Sequence, residues 1–164
     1  MIRKDNLYIA NAYRIDYPVA AAVKTAILNG TIKIEDGSVW ALGTSADGET
    51  VWTPFSNDST HGYITISSFK QGNLRGEGGR DTISDSMRLV CLVGPFRLET
   101  DQYKSTDTFT VGSFVKGAAN ADATHAGGIL ALWSSASDDA SEIIGEVYQA
   151  PNADAGVLLG IIGR

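Results

Sequence analysis

Short runs of alternating or wholly apolar residues, each closed by glycine, aspartate, asparagine or serine, recur along this chain. Alternation marks a strand with one buried face, and a continuous short apolar run marks a strand buried on both. "GTIKIEDGSVWALG" reads as two strands around Asp36-Gly37, and "TSADGETVWT" repeats that logic at Asp47-Gly48. Asp-Gly favours a tight hairpin because both central positions accept positive φ. "YITISSF" alternates, and "SMRLVCLVGPFRLET" gives two strands broken at Gly94-Pro95. "DTFTVGSFVKG" and "GGILALW" follow, then a closing pair over 142–148 and 156–162. Roughly nine or ten short strands at this density predict an all-β, mainly β chain, built as a small β-barrel or sandwich.

One stretch departs from the pattern. "DYPVAAAVKTAILNG" places Val19, Ala22, Val23, Ala26 and Ile27 on one helical face. Asn29-Gly30 is a natural helix stop, and Asp16 ahead of Pro18 is a candidate start. A short helix and an irregular strand both fit, so the expectation is at most one short helix. A weak echo links "GSVWALG" at 37–43 with "GGILALW" at 127–133, through either duplication or convergence on strand chemistry. Two stretches read as loops: "KQGNLRGEGGRDTIS", with four glycines in residues 70–80 and three cations, and the small, polar "GAANADATHAGG". The domain expectation is an extended N-terminal arm over 1–17, a β-rich region over 18–100 and a C-terminal barrel portion over 101–164. The last two form either one continuous domain or two.

Charge sharpens this picture. The chain of 164 residues has a net charge of −6. Residues 101–164 hold three basic and eight acidic side chains, a balance of −5, while residues 1–100 balance at −1. An acidic chain without a large basic patch is a poor nucleic-acid binder. The single cysteine, Cys91, lies in the apolar run "MRLVCLV" and reads as a buried, inert thiol. "MIRKDNLYIA" has no apolar stretch of the signal-peptide kind, and no run is long enough to span a membrane. The expectation is folding in a reducing cytoplasm, with no membrane partner.

Catalytic chemistry is thin. His61 and His125 both sit in polar turns, Cys91 has no second cysteine, and no HExxH occurs. "RGEGGRDT" offers glycines to a phosphate, but Arg80-Asp81 stands where a phosphate loop needs Lys followed by Ser or Thr. No serine lies in a GxSxG elbow. "NDSTHG", "SADGE" and "PNADAG" lack the spacing of a calcium loop and read as turns. No catalytic, cofactor or metal site is expected, and the chain is read as a non-enzyme. Trp40, Trp52 and Trp133 all fall in strand-like runs, where core packing competes with an aromatic sugar-binding face.

A strand as apolar as "GVLLGIIG" near the chain end needs its edge covered, either inside a sheet or by a neighbouring subunit. Here a resemblance enters. "TFTVGSFVKG", "GGILALW" and "SEIIGEVYQAPNADAGVLLGIIG" resemble the β-barrel of head-decoration, or capsid cement, proteins of tailed bacteriophages. The matching positions are Val111-Gly112, Gly128 to Leu132, Ile143 to Val147 and Val157 to Ile162, within about 60 residues. The resemblance implies a virion structural protein on the capsid surface, assembled in the host cytoplasm. It also implies the major capsid protein as partner and self-association as a dimer or trimer. The N-terminal stretch joins Arg3 and Lys4 to Tyr8, Tyr13 and Tyr17. With Lys70, Arg75 and Arg80, these are the expected capsid or subunit contacts, on an arm that orders on its partner. A first strand packed on its own domain is the competing reading of that stretch. A spike-like or carbohydrate-binding β-sandwich, using the tryptophans, is the alternative function.

Overall fold

In the computed structural model, which describes residues 13–66, 87–152 and 157–164, two five-stranded antiparallel sheets carry the chain. The first comprises β1 (Tyr13–Pro18), β3 (Val39–Thr44), β4 (Thr50–Pro54), β5 (Tyr63–Thr65) and β6 (Arg88–Val93), in the order β1-β6-β5-β3-β4. The second comprises β7 (Arg97–Thr100), β8 (Phe114–Ala118), β10 (Ile129–Leu132), β11 (Ile143–Gln149) and β12 (Leu159–Gly163), in the order β10-β8-β11-β12-β7. A two-residue parallel pair joins β2 (Lys33–Ile34) to β9 (His125–Ala126). The described residues include one α-helix, α1 (Ala21–Leu28). The all-β class expected from the pattern is the class that forms.

Both sheets curl. Val19, just past β1, bridges Trp52 of β4 in parallel, and the Ala20 N–H donates to the Trp52 carbonyl at 2.9 Å. β1 and β4 are opposite edges, which a flat five-stranded sheet would hold about 19 Å apart. In the second sheet β7 ends at Thr100, on one edge. Yet the Leu130 N–H, on the other edge, donates to the Gln102 carbonyl at 2.9 Å, and the Lys104 N–H donates to the Leu130 carbonyl at 2.7 Å. Two residues of chain reach about 7 Å at most, so the edges must converge at that end. The architecture therefore lies between sandwich and barrel, and the β10 edge is covered. β12, the apolar closing strand, lies between β11 and β7, which settles how its edges are paired.

Side-chain alternation divides the core in two. From the first sheet, Val39, Ala41, Ile64 and Leu92 face the second sheet. They meet Leu98, Val115, Leu130, Val147, Leu159 and Ile161 there. On the opposite face, Trp40, Trp52, Leu89 and Cys91 pack with Val23 and Ile27 of α1. Both buried indoles are satisfied: Trp40 Nε1 donates to Ser38 Oγ (2.9 Å) and Trp52 Nε1 to the Leu89 carbonyl (3.0 Å). The two sheets share one core cluster.

Several local expectations need correction. The turn at Asp47-Gly48 closes the β3–β4 hairpin, with Gly48 at φ 83°. Gly37 also turns at φ 87°, but its flanking strands do not pair: β2 goes to β9 in parallel, and β3 to β4 and β5. Helix α1 starts after Ala20 without a side-chain cap. Asp16, the candidate start, instead accepts from Arg88 Nε at 2.9 Å. The stop is as expected, with Asn29 as cap and Gly30 at φ 71°. Ala22 is exposed, so Val23 and Ile27 alone bury the helix deeply. The strand expected over 107–117 begins only at Phe114, because Thr110 to Ser113 make a turn with Gly112 at φ 87°. The polar stretch 117–128 is not all loop: it contains the end of β8 and the whole of β9. The echoed segments take different places, β3 inside its sheet and β10 at an edge, which argues for convergence. The glycine-rich stretch 70–84 lies outside the described residues.

Candidate interaction face

The outer side of the second sheet carries a continuous row of side chains. Arg97 pairs with Ile162, Ile162 with Glu146, and Glu146 with Phe114. Paired residues share a face, so four strands deliver these four side chains into one line. Trp133 extends it: its N–H donates to the Phe114 carbonyl at 2.9 Å, and its ring meets Phe114 edge-on at 5.9 Å. Ile162 is 45% exposed, unusual for an isoleucine in the middle of a sheet.

The charges on this face are held in place. Arg164 lies 4.4 Å over the Phe114 ring and donates to Glu146 Oε2 at 3.4 Å. Arg97 lies 4.1 Å over the Tyr148 ring, and the Tyr148 hydroxyl donates to Glu99 Oε1 at 3.2 Å. Such stacking fixes a guanidinium without consuming all of its donors. Burial, the largest influence, holds the Tyr148 phenol above its ordinary range. Beside the row, Lys116 Nζ donates to Asp138 Oδ1 (2.6 Å) and to Glu142 Oε2 (3.2 Å). Burial works against the Lys116 charge, but the two carboxylates outweigh it and raise its pKa. The same bond lowers that of Asp138. Asp139 caps the 3-10 turn at Ala140–Glu142, and its carbonyl accepts from Trp133 Nε1 at 2.8 Å. The result is a mixed aromatic and charged surface, linked by side-chain bonds, rather than a cleft.

Of the residues expected as contacts, two lie among those described, both in the first sheet. Arg3, Lys4, Tyr8, Lys70, Arg75 and Arg80 lie outside the described residues. Tyr13 and Tyr17 belong to β1, which pairs along its length with β6, the first-strand alternative to an arm. Tyr17 packs edge-on against Trp52 at 5.8 Å, on the first sheet. Phe114, Arg97, Glu146, Tyr148 and Arg164 were not singled out from the sequence, because their grouping depends on strand register. Of the tryptophans, Trp40 and Trp52 are wholly buried, which leaves Trp133 alone for any aromatic binding face.

Other candidate chemistry stays dispersed. Cys91 is buried, and burial pushes its thiol far above the usual range, so thiolate chemistry is suppressed. His61 Nδ1 lies 3.0 Å from the Ser141 carbonyl, and His125 Nδ1 lies 2.8 Å from Asp122 Oδ2. Among the described residues no three His, Cys, Asp or Glu side chains converge as a metal site, and no helix is long and apolar enough to cross a membrane. Comparison with protein-family models, curated proteins and solved structures finds no match to the chain.

Proposed function

We propose that the chain is a non-enzymatic virion structural protein that binds the outer surface of a phage capsid and stabilises it, docking through the outer face of the second sheet. One observation carries this reading. The segments that resemble decoration proteins follow one another within about 60 residues, and their strands pair as neighbours in a single sheet, β10-β8-β11-β12, with Val111-Gly112 in the turn that leads into β8. That sheet also has the aromatic and arginine row on its outer side. Arg, Trp, Tyr and Phe are enriched in the buried centres of protein interfaces. Pre-ordered side chains lose little freedom on docking, so more of the contact energy appears as affinity. On this reading the partners are the major capsid protein and further copies of this chain, as a dimer or trimer.

The experiment is sedimentation with phage heads stripped of accessory proteins, taken from the phage whose genome encodes the chain. Saturable co-sedimentation at a fixed ratio to the major capsid protein is the expected result, and the ratio reports the oligomer. Absence of binding at physiological salt overturns the proposal.

A further inference from the structure

An open cleft of about 320 Å³ lies where the chain leaves β4 and enters β5. Its walls are Ala41 and Leu42 of β3, Thr53 of β4, Tyr63 of β5, and Asp58 to His61 of the connection. We infer that this cleft binds a neutral sugar ring, and that Asp58 and His61 are its principal hydrogen-bonding groups.

The lining selects the ligand class. Among the described residues no lysine or arginine lines the cleft, so a phosphate or carboxylate ligand would meet Asp58 with no counter-charge from them. A wholly apolar ligand would meet four hydroxyl groups and a carboxylate that it cannot hydrogen-bond. A cationic ligand would gain from one carboxylate in an open, hydrated site, which is worth about 1 kcal/mol at most. A sugar uses the whole set: its hydroxyls meet Asp58, Thr60 and His61, and its apolar ring edge meets Leu42 and Tyr63. The volume sits at the low end of the ~300–1,000 Å³ range of small-ligand sites, as a single ring requires.

The site is formed in advance. Ser56 and Ser59 lock the connection, with Ser59 N–H donating to the Ser56 carbonyl at 3.0 Å and Ser56 N–H to Ser59 Oγ at 3.1 Å. Gly62 lets the backbone between His61 and Tyr63 press onto the core, since a Cβ there would sit 2.6 Å from Val39 Cγ1 and 2.7 Å from Ile144 Cδ1. The His61 ring stands edge-on to Tyr63 at 4.7 Å. Because the Ser141 carbonyl can only accept, the His61 Nδ1 contact makes Nδ1 the protonated nitrogen. In the neutral ring Nε2 is then an acceptor for a sugar hydroxyl. Thr53 Oγ1 donates to the Ala41 carbonyl at 3.2 Å, which leaves it as an acceptor too. Among the described residues, Asp58 and Thr60 make no side-chain bond that a ligand would have to displace.

The test is NMR titration of the full chain with glucose, galactose, mannose and N-acetylglucosamine in turn. At least one should give saturable shifts confined to residues 53 and 58–63, with a Kd of about 1–10 mM. Asp58→Asn and His61→Ala should each weaken that binding at least about fivefold while the remaining spectrum is unchanged. A third variant, Thr60→Val, keeps the test informative should His61→Ala perturb the fold. The inference is overturned by no saturable shift with any of the four sugars. It is equally overturned by unaltered binding in Asp58→Asn, or by tighter binding of inorganic phosphate or methylammonium at the same residues. The capsid proposal does not enter this test, and failure of either leaves the other standing.

Discussion

The two sheets have the same number of strands and both curl until their edges converge, yet they are built for different duties. The first is buried on both faces over most of its area, apart from the cleft side of Leu42: Val39, Ala41 and Ile64 look toward the second sheet, while Trp40, Trp52 and Cys91 look toward α1. The second is buried on one face, and its other side exposes Arg97, Ile162 and Arg164 with Phe114 and Trp133 alongside. Leu42 and Tyr63 at the cleft aside, a large apolar residue is therefore structural in the first sheet, whereas Ile162 in the second is available for contact. On the proposed function, the surface that holds the molecule together is separate from the surface that would meet a partner.

Tryptophan truncation tests the contrast with the largest effect. Trp52→Ala removes a fully buried ring, its bond to the Leu89 carbonyl and its contacts with Tyr17 and Tyr63. It should lose about 3–5 kcal/mol in urea unfolding, whereas Trp133→Ala should lose only about 1 kcal/mol. Equal losses would mean that the outer face is as much a core as the inner one.

A smaller effect probes how closely the strands of the second sheet approach. A methyl group on Gly145 would run into the Ile162 carbonyl across the β11–β12 pair. Gly145→Ala should cost about 1–3 kcal/mol, because backbone rather than a flexible side-chain end must move. A cost near zero in the same measurement would show that the pair has slack.

Val157 should respond in the opposite direction. It is a β-branched residue at φ 61°, 58% exposed, with its N–H bonded to the Asn152 carbonyl and its own carbonyl accepting from the Tyr103 hydroxyl. Asparagine tolerates the left-handed region far better. Val157→Asn should therefore raise the urea midpoint, by about 1 kcal/mol of stability. A lower midpoint would assign the Val157 side chain a packing role.

The smallest effect is acidic. Bonds from the Thr124 hydroxyl and N–H, and then from His125, hold Asp122 down at about 2. A depressed carboxylate contributes stability that is present above its unfolded pKa of about 4 and is lost as pH falls toward its folded value. Asp122→Asn should therefore flatten the decline in stability between about pH 4 and pH 2. Parallel curves for the two proteins would show that the contacts add nothing to the fold around β9.

Legibility followed sequence distance. The Asp47-Gly48 hairpin and the Asn29-Gly30 stop are local events, and the residues at the turn carry the information. Asp36-Gly37 has the same chemistry, but the fate of β2 depends on His125–Ala126, roughly ninety residues away, which no local pattern encodes. The outer row shows the same limit. Arg97, Phe114, Glu146 and Ile162 are ordinary strand residues singly, and only the register of four strands aligns them. The alternation in "SFVKG" already separated Phe114 and Lys116 from Val115, and it was the signal nearest to hand. Trp40 and Trp52 show why burial is hard to read, since their runs look no different from that of Trp133.

The most direct test of the divided duties is co-sedimentation with stripped heads, comparing the unaltered chain, Ile162→Glu and Asp47→Lys. Ile162 lies in the outer row, and Asp47 is an exposed residue at the β3–β4 turn. Binding should be at least about tenfold weaker for Ile162→Glu, with unchanged thermal unfolding, and unaltered for Asp47→Lys. Full-strength binding by Ile162→Glu, together with loss of binding by Asp47→Lys, would contradict this division and move the contact surface to the first sheet.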